Sequence, residues 1–162
     1  PPPPPPPPGR NYEFEVDAQG WRDLKDQGSL VRSSDTRSFQ GRASLAVEID
    51  TRGSTSGDAA QRYIGVPRDL TPTVSPGQTM SVRLWLPGGH NLLGVQPFMV
   101  TRRGDWIGNW QFTDNLPSNA WVELRVTVPP GFDGSRLEWL GVQFQTKPGG
   151  WQGAVHLDSV AY

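Results

Sequence analysis

Aromatic rings and planar polar side chains are the residues of this chain with the clearest chemical potential. The sequence contains seven Trp, no Cys and only two His, His90 and His156. A sugar ring presents an apolar C–H face to an aromatic ring and hydroxyl groups at its rim, so Trp combined with Gln and Arg suits both surfaces. The composition therefore predicts a binding protein for a flat, hydroxyl-rich ligand rather than an enzyme.

Catalytic motifs do not accompany these residues. The sequence lacks a Gly-x-Ser-x-Gly elbow, a His-Glu-x-x-His helix and a phosphate-cradling glycine loop. A glycosidase needs two carboxylates roughly 5–9.5 Å apart, and the candidate acids Asp105, Asp114, Glu123 and Glu138 form no obvious pair. The absence of these motifs does not exclude a lyase that uses Arg, Lys or His as its base. A jelly-roll polysaccharide lyase or glucanase is therefore the enzymatic alternative.

Charge and composition narrow the range of partners. Fifteen basic and 16 acidic side chains give a net charge of −1, which leaves no field to attract nucleic acid or an anionic membrane. No apolar run approaches the ~20 residues that span a bilayer. We expect a monomer with no nucleic-acid or membrane partner, and the absence of Cys fits a bacterial extracellular module or a cytosolic domain.

An unbroken proline run, Pro1–Pro8, opens the sequence. Such a run adopts polyproline II at ~3.1 Å per residue, which makes a stiff spacer of roughly 25 Å. A partner motif is the alternative, but a folded domain is predicted to begin within a few residues, which favours a linker. The predicted organisation is a proline-rich linker over residues 1–10 and one β domain over residues 11–162, with another domain N-terminal to Pro1.

Short alternating runs follow, each bounded by Gly, Pro, Asn or Asp. Nineteen Gly and 17 Pro are too many for helices to dominate. Roughly nine strands with frequent turns predict an all-β fold, a two-sheet antiparallel β-sandwich of the jelly-roll kind. The predicted strands are Tyr12–Val16, Leu30–Arg32, Ser44–Ile49, Tyr63–Val66, Thr79–Leu86, Leu93–Thr101, Trp121–Val128, Leu137–Thr146 and Ala154–Tyr162.

Alternation along three of these runs assigns side chains to two faces. Met80, Val82 and Leu84 form a core row, which turns the intervening side chains to the other face. The phase of Val95–Thr101 stays open, although one phase turns its glutamine outward. A solvent face coated with polar residues is the alternative, but Trp85 favours a binding face because an exposed ring of that size seldom lacks a partner. The predicted binding residues of this face are Arg83, Trp85, Gln96, Gln143 and Gln145.

A second aromatic cluster lies in a glycine-broken loop that holds Arg103, Trp106 and Trp110. Two Trp four residues apart among polar neighbours predict platforms on which consecutive sugar rings stack. A hydrophobic lid over one end of the sandwich is the alternative. Trp21 and Trp121 are predicted to be core side chains, and the sequence leaves open whether the two remaining Trp, Trp139 and Trp151, contact ligand.

Acidic residues at the two ends of the domain form a possible metal site. Glu13 and Glu15 lie in the first predicted strand and Asp158 lies in the last, and terminal strands of a jelly roll usually run side by side. Hard oxygen ligands of this kind suit Ca²⁺. His156 shares a face with Asp158, but no third ligand nearby supports a zinc site.

Five segments, taken in order, resemble a known family. They are Tyr12-Glu13-Phe14-Glu15 with Gly20-Trp21, then Phe39-Gln40-Gly41-Arg42-Ala43-Ser44-Leu45-Ala46-Val47, Gln96-Pro97-Phe98 with Trp106 and Trp110, Ala120–Leu124 and Val155–Val160. Together they are similar to the β-jelly-roll carbohydrate-binding modules, of galactose-binding-like topology, of bacterial plant-cell-wall glycoside hydrolases. The resemblance covers residues 11–162.

The resemblance implies a sandwich with a ligand groove on its concave sheet and no catalysis of its own. It implies that Trp21 and Trp121 are structural. It also implies a structural Ca²⁺ held by an acid of the first strand, Glu15 or Glu13, and by Asp158, with carbonyls of the turn at residues 40–42. The preceding proline run would connect the module to a glycoside hydrolase.

Together, these points predict a secreted, non-catalytic module that binds a neutral β-linked plant-cell-wall polysaccharide. Mannan or glucomannan is expected first and β-glucan second, because neutral Gln amides and Trp platforms suit flat, uncharged chains better than acidic ones. A structural or protein-binding accessory domain is the alternative outside enzymes. The sequence names neither the polysaccharide nor the attached catalytic domain.

Overall fold

The computed structural model describes residues 12–162, so the predicted linker over residues 1–10 lies outside the described residues. Within the described range the chain forms strands and short 3₁₀ turns, and no helix there is long and apolar enough to cross a membrane. The strands are β1 (Arg22–Asp23), β2 (Leu30–Ser34), β3 (Ser44–Asp50), β4 (Gln61–Pro67), β5 (Thr79–Trp85), β6 (Leu92–Thr101), β7 (Trp106–Gly108), β8 (Gln111–Phe112), β9 (Trp121–Thr127), β10 (Leu137–Thr146) and β11 (Gln152–Ala161).

These strands form two antiparallel sheets. The front sheet has six strands in the order β1-β4-β10-β6-β7, with β8 pairing a different stretch of β6. The back sheet has five strands in the order β2-β3-β11-β5-β9. The prediction of an all-β, two-sheet antiparallel jelly-roll sandwich is confirmed.

The hydrophobic core lies between the sheets and follows the predicted alternation. Met80, Val82 and Leu84 of β5 are fully buried and pack against side chains from the front sheet, including Leu140 and Val142 of β10. Each buried aliphatic side chain contributes about 1.5–3 kcal/mol relative to an exposed one. Because the core takes one side of every strand, the other side of each sheet is left for surface functions.

The prediction of a first strand over Tyr12–Val16 is wrong. Only Tyr12 pairs with the sheet, through an isolated bridge to Val160. Phe14 takes a positive φ of 55°, which ends the extended backbone. Its side chain is buried beside Trp21, and the prediction that Trp21 belongs to the core is confirmed.

Two glycines allow a close approach in the middle of the front sheet. Gly65 of β4 stands opposite Gly141 of β10 in the register. A Cβ built on Gly65 would overlap the carbonyl oxygen of Leu140, and one on Gly141 would overlap the carbonyl oxygen of Ile64. Neither glycine has a side chain of its own, and the outer side of the sheet beside them carries a small apolar cluster that includes Tyr63.

Candidate functional site

The front face is the surface of the front sheet that points away from the core. Strand register decides which side chains reach it: Gln143 of β10 stands opposite both Gln96 of β6 and Tyr63 of β4. Alternation then places every second residue of each strand on the same surface. The side chains of the front face are Gln61, Tyr63, Gln96, Phe98, Trp106, Trp110, Phe112, Trp139, Gln143 and Gln145.

A hydrogen-bond network crosses three strands of this face. Gln96 Nε2 donates to Gln143 Oε1 at 2.6 Å, and Gln143 Nε2 donates to the Tyr63 hydroxyl at 3.1 Å. The Tyr63 hydroxyl donates in turn to Gln61 Oε1 at 2.6 Å. Gln143 is buried at the centre of the network. The amides are therefore held in fixed orientations before any ligand arrives, which reduces the entropy lost on binding.

An aromatic stack stands beside this network. The Trp106 ring lies parallel to the Phe98 ring, with centroids 4.6 Å apart and an interplanar angle of 2°. Tyr63 meets both rings edge-on. Phe98 is fully buried, whereas Trp106 is 42% exposed, so one face of the indole rests on protein and the other is open to solvent. This arrangement is a supported platform for an apolar ring face.

A second ring lies farther along β6. Trp110 lies over Gly94, where a Cβ would collide with the indole, and it meets the exposed ring of Phe112 edge-on at 6.0 Å. Gly94 therefore allows the ring to lie flat on the strand. Trp106 and Trp110 thus form two aromatic surfaces on the same face, one on each side of the strand position of Gln96.

The tyrosine of the network keeps its proton. Burial raises the pKa of Tyr63 above its ordinary value of 10.0, and the charge of Asp58 adds to the shift. Lys25 lies 4.4 Å from the centroid of the Tyr63 ring and pairs with Asp58 at 3.5 Å. The hydroxyl is therefore a neutral donor throughout the physiological pH range.

The structure brings together five of the predicted binding residues. Gln96, Gln143 and Gln145 share the front face with Trp106 and Trp110. The open phase of Val95–Thr101 is resolved, because Val95 and Met99 belong to the core and Gln96 points outward. Their role in binding stays a prediction.

Arg83 and Trp85 lie elsewhere, and the prediction that they share a face with these glutamines is wrong. Strand β5 belongs to the back sheet, so both side chains point to the opposite side of the molecule. Arg83 pairs with Glu123 at 3.2 Å. Trp85 is only 8% exposed and is covered by the Arg37 guanidinium, 3.5 Å from the ring centroid.

Trp121 also differs from its prediction as a core side chain. It stands opposite Trp85 on the outer side of the back sheet and is partly exposed. The exposed ring of Phe39 meets it edge-on at 6.0 Å. The aromatic groups of the back sheet therefore pack against one another and against arginines, separate from the front face.

Arg103 lies in the turn between β6 and β7, closed by the bond from Gly104 N–H to the Thr101 carbonyl. It is exposed there. The pKa of Asp133 is lowered, first by a hydrogen bond from Ser135 and more weakly by the charges of Arg136 and Arg103. Arg103 thus places its charge near Asp133, and its role in binding stays a prediction.

Sequence reasoning missed Tyr63 and left Trp139 open. Trp139 lies on the front face, 6.0 Å from the Tyr63 ring centroid, in a small cluster with Phe98. The alternation of Tyr63 with the buried Ile64 was the signal that placed the tyrosine on the outer face. Trp151 instead covers Gly153 and packs against the main core.

The acids considered for catalysis are dispersed. Glu123 pairs with Arg125 and Arg83 on the back sheet, and Glu138 pairs with Arg68. Asp114 pairs with Lys147, and Asp105 interacts with Thr101 in its turn. Within residues 12–162, these four acids form no carboxylate pair on the front face of the kind that glycoside hydrolysis requires.

Two other carboxylates converge on the loop at residues 39–43. Asp158 is fully buried, and its Oδ2 accepts hydrogen bonds from the backbone N–H groups of Phe39 and Gln40 at 2.7 and 3.1 Å. Burial raises the pKa of Asp158, and the negative charge of Glu15 adds to that shift, although the backbone hydrogen bonds oppose it. Glu15 accepts hydrogen bonds from the N–H group of Arg42 at 3.0–3.1 Å.

The groups that this loop turns toward the two carboxylates are backbone N–H donors rather than the carbonyls expected for calcium, and a calcium ion here stays a prediction. Among residues 12–162, neither Glu15 nor Asp158 pairs with a basic side chain, and each carboxylate keeps lone pairs beyond its N–H bonds. Gly41, with φ at +70°, lets the Glu15 carboxylate pack directly against the loop, where a Cβ would collide with it. The described residues contain no cluster of three His, Cys, Asp or Glu side chains placed to hold a metal, so Glu13, Glu15 and Asp158 do not form one together.

Comparison with solved structures identifies the fold. No family model and no curated protein matches the chain. The chain matches a carbohydrate-binding module from a study of promiscuous specificity in the β-sandwich superfamily over 92% of its own length, with a TM-score of 0.78 and 22% identity. The chain spans 59% of the length of that protein.

Two further structures contain bound oligosaccharides. CBM27-1 of Caldicellulosiruptor saccharolyticus, in complex with mannohexaose, matches over 94% of this chain and 96% of its own, with a TM-score of 0.70 and 10% identity. The CBM22-1–GH10 modules of Clostridium thermocellum xylanase Xyn10B, complexed with xylohexaose, match over 95% of this chain and 28% of their own, with a TM-score of 0.55 and 12% identity. The chain therefore has the jelly-roll fold found in carbohydrate-binding modules.

Proposed function

We propose that this chain is a non-catalytic carbohydrate-binding module whose front face binds a neutral, β-linked polysaccharide. The observation that carries the proposal is the juxtaposition of Trp106, half-open on its Phe98 support, with the fixed amide network centred on Gln143. A sugar ring can stack on the indole while its rim hydroxyls meet the amides. Both surfaces of the ligand are matched at one place.

The polar row crosses the strands, which indicates the direction of the ligand chain. It runs from Gln61 and Tyr63 on β4, through Gln143 on β10, to Gln96 on β6. Strands are spaced by about 4.8 Å, so the path from β1 to β7 is roughly 19 Å long. That length accommodates several consecutive sugar units, and the affinity comes from their summed contacts.

The ligand is expected to be uncharged. The groups that face it are amides, a phenol and indoles, and two cations near them, Lys25 and Arg125, already pair with Asp58 and Glu123. Mannan and glucomannan are the first candidates and β-glucan the second. Structures of this fold that hold mannohexaose and xylohexaose support a β-1,4-linked chain and add xylan to the candidates.

The wider role follows from the proline run. The proline composition of Pro1–Pro8, which lies outside the described residues, is typical of linkers and suits a module that keeps a tethered glycoside hydrolase on an insoluble polysaccharide in the extracellular space. The similar structure in which such a module is joined to a GH10 domain supports this arrangement. Glu15 and Asp158 hold a structural Ca²⁺ in this proposal, which supplies the positive charge that the two carboxylates lack.

Affinity electrophoresis tests the proposal. The purified chain is run through native gels that contain linear mannan, glucomannan, xylan, xyloglucan, mixed-linkage glucan or polygalacturonate, with bovine serum albumin as the non-binding standard. Retardation by one or more neutral β-linked polymers, without release of reducing sugar or unsaturated product, is the expected result. Equal mobility in all gels contradicts the proposal, and product release moves the protein to the lyase or glucanase class.

A further inference from the structure

A groove beside the front face shares Gln96 and two Trp rings with the proposed site, and the rest of its lining has no role in that site. The seam is the space between β7, the edge strand of the front sheet, and β9, the edge strand of the back sheet. It holds a cavity of about 680 Å³ whose lining includes Trp106, Gly108, Asn109, Arg125 and Thr127. Gln96 also lines it, so the cavity opens directly onto the polar row of the front face.

One wall of the seam is the free edge of β7. Asn109 N–H donates to the Pro97 carbonyl at 3.2 Å, and Thr101 N–H donates to the Asp105 carbonyl at 2.9 Å. In an antiparallel pair, alternate residues bond to the partner and the residues between them point away. The backbone N–H and C=O groups of Trp106 and Gly108 therefore point into the seam.

The other wall is the free edge of β9. Val128 bonds to β5 through its N–H, which donates to the Gln78 carbonyl at 2.8 Å. The alternating residues Arg125 and Thr127 consequently turn their backbone groups the other way, and the Arg125 carbonyl accepts a hydrogen bond from Asn109 Nδ2 at 2.7 Å. Asn109 thus bridges the two walls, while the remaining edge groups are donors and acceptors open to a ligand.

We infer that the seam is a subsite that continues the front-face groove and holds sugar units of the main chain beyond Trp106. The inference rests on the proposed function, because it extends the path that the ligand takes across the sheet. Sugar hydroxyls are both donors and acceptors, so they satisfy the N–H and C=O groups of two strand edges at once. Exposed edges of this kind are otherwise a liability in soluble proteins.

A strand from another protein is the competing occupant, since free edges also accept added strands. Asn109 argues against it. Its amide occupies the Arg125 carbonyl, which an added strand would need for its ladder, and Gln111 Nε2 fixes the Asn109 side chain through a 3.1 Å hydrogen bond to Oδ1. A flexible, hydroxyl-bearing chain can pass beside this bridge, whereas a continuous strand cannot pair through it.

The test is the dependence of affinity on ligand length. Isothermal titration compares mannotriose with mannohexaose, or xylotriose with xylohexaose if xylan is the polymer that retards the chain. The variants are Asn109→Ala and Arg125→Ala. The matched control is Arg52→Ala, which removes an exposed ion pair to the residue two positions earlier, Asp50, as Arg125→Ala does for Glu123. All variants are checked for an unchanged melting temperature.

We expect each seam variant to bind the hexaose about fivefold more weakly while its affinity for the triose is unchanged, because Asn109→Ala removes the bridge that fixes the two walls and Arg125→Ala removes a side chain that lines the cavity. Arg52→Ala should match the wild type for both sugars. Wild-type affinity of both seam variants for the hexaose overturns the subsite but leaves the proposed function intact. A wild-type chain that binds neither oligosaccharide overturns both. Concentration-dependent dimers that the seam variants abolish would assign the seam to strand pairing instead.

Discussion

Trp106 is the residue whose surroundings best suit the proposed binding role. Its ring is exposed enough to accept a ligand, yet Phe98 supports its other face and Tyr63 meets it edge-on. A surface indole without such support would sample several rotamers and lose that freedom on binding, at a cost of about 0.5–1.5 kcal/mol. The support therefore improves affinity without adding a contact to the ligand.

The first prediction concerns this ring. Trp106→Ala should weaken binding of the retained polysaccharide by roughly tenfold or more, since a stacked aromatic contributes about 0.5–1.5 kcal/mol beyond the area that it buries. Affinity electrophoresis or titration measures the loss. Trp121→Ala is the matched control, because that Trp is partly exposed on the opposite sheet and should leave binding unchanged. Equal losses in the two variants would remove the front face as the site.

A second prediction follows from the protonation of the front-face groups. The pKa of Tyr63 is raised, so its hydroxyl stays protonated below and somewhat above pH 10, and glutamine amides and indoles do not titrate. Binding should therefore be nearly constant between about pH 5 and pH 9 and should change little with salt, because no ionic pair dominates it. Titrations across that range are the measurement. A sharp pH midpoint or a strong salt dependence would point to an ionised group in the site.

Among the structural elements, the paired strands β4 and β10 determine the shape of the front face. Their facing glycines bring the backbones close and carry no side chains, and the rings of Tyr63 and Trp139 on either side of them approach to 6.0 Å. The network itself requires β4, β10 and β6 to keep a single register, because a shift by one residue would turn Gln143 toward the core. The site is therefore a property of the sheet more than of any loop.

The third prediction tests this close approach. Gly141→Ala should lower the free energy of unfolding by about 1–3 kcal/mol, because its Cβ would collide with backbone that cannot move aside easily. Thermal unfolding by circular dichroism measures the change. Gly88→Ala is the control, since a Cβ there meets only the end of the Asn119 side chain. A stable Gly141→Ala protein would show that the two strands can separate without cost.

Strand alternation predicted the faces of individual strands correctly but not their sheets. It placed Arg83 and Trp85 opposite the core row of β5, and it placed Gln143 opposite the core row of β10. Local periodicity carries no information about which sheet a strand joins, because pairing depends on residues distant in sequence. Consecutive strands β5 and β6 lie in different sheets, so a pattern that was locally right combined two opposite surfaces of the molecule.

Trp85 and Trp121, the two tryptophans that differ from their predictions, illustrate the same limit. Trp121 opens an alternating strand, and its phase is compatible with the core or with the outer side until the partner strand is known. The pairing of Trp121 with Trp85 in the β5–β9 register places its side chain on the outer side of the back sheet. By contrast, Trp106 and Trp110 were predicted from their own short segment, because two large rings four residues apart in a polar, glycine-broken stretch have few ways to become buried.

On the scale of the whole molecule, the two ends of the described chain are joined beside the loop at residues 39–43. The fourth prediction is that a chelator lowers the melting temperature and that Ca²⁺ restores it, since an ion that binds only the native state stabilises it by mass action. Differential scanning calorimetry measures both. Asp158→Asn should abolish the response to Ca²⁺, whereas Asp133→Asn, an exposed acid elsewhere, should retain it. Equal melting temperatures in chelator and Ca²⁺ would exclude the metal site.

The unequal burial of the tryptophans has an optical consequence. Trp21 and Trp85 are 2% and 8% exposed, whereas Trp106 is 42% exposed. Buried indoles emit at short wavelength whether or not a ligand is bound, whereas an exposed indole such as Trp106 emits at longer wavelength. A sugar that covers Trp106 should therefore shift the long-wavelength part of the chain's emission toward the blue. Under the proposed function, the fluorescence of the unlabelled chain therefore offers a direct readout for screening candidate polysaccharides.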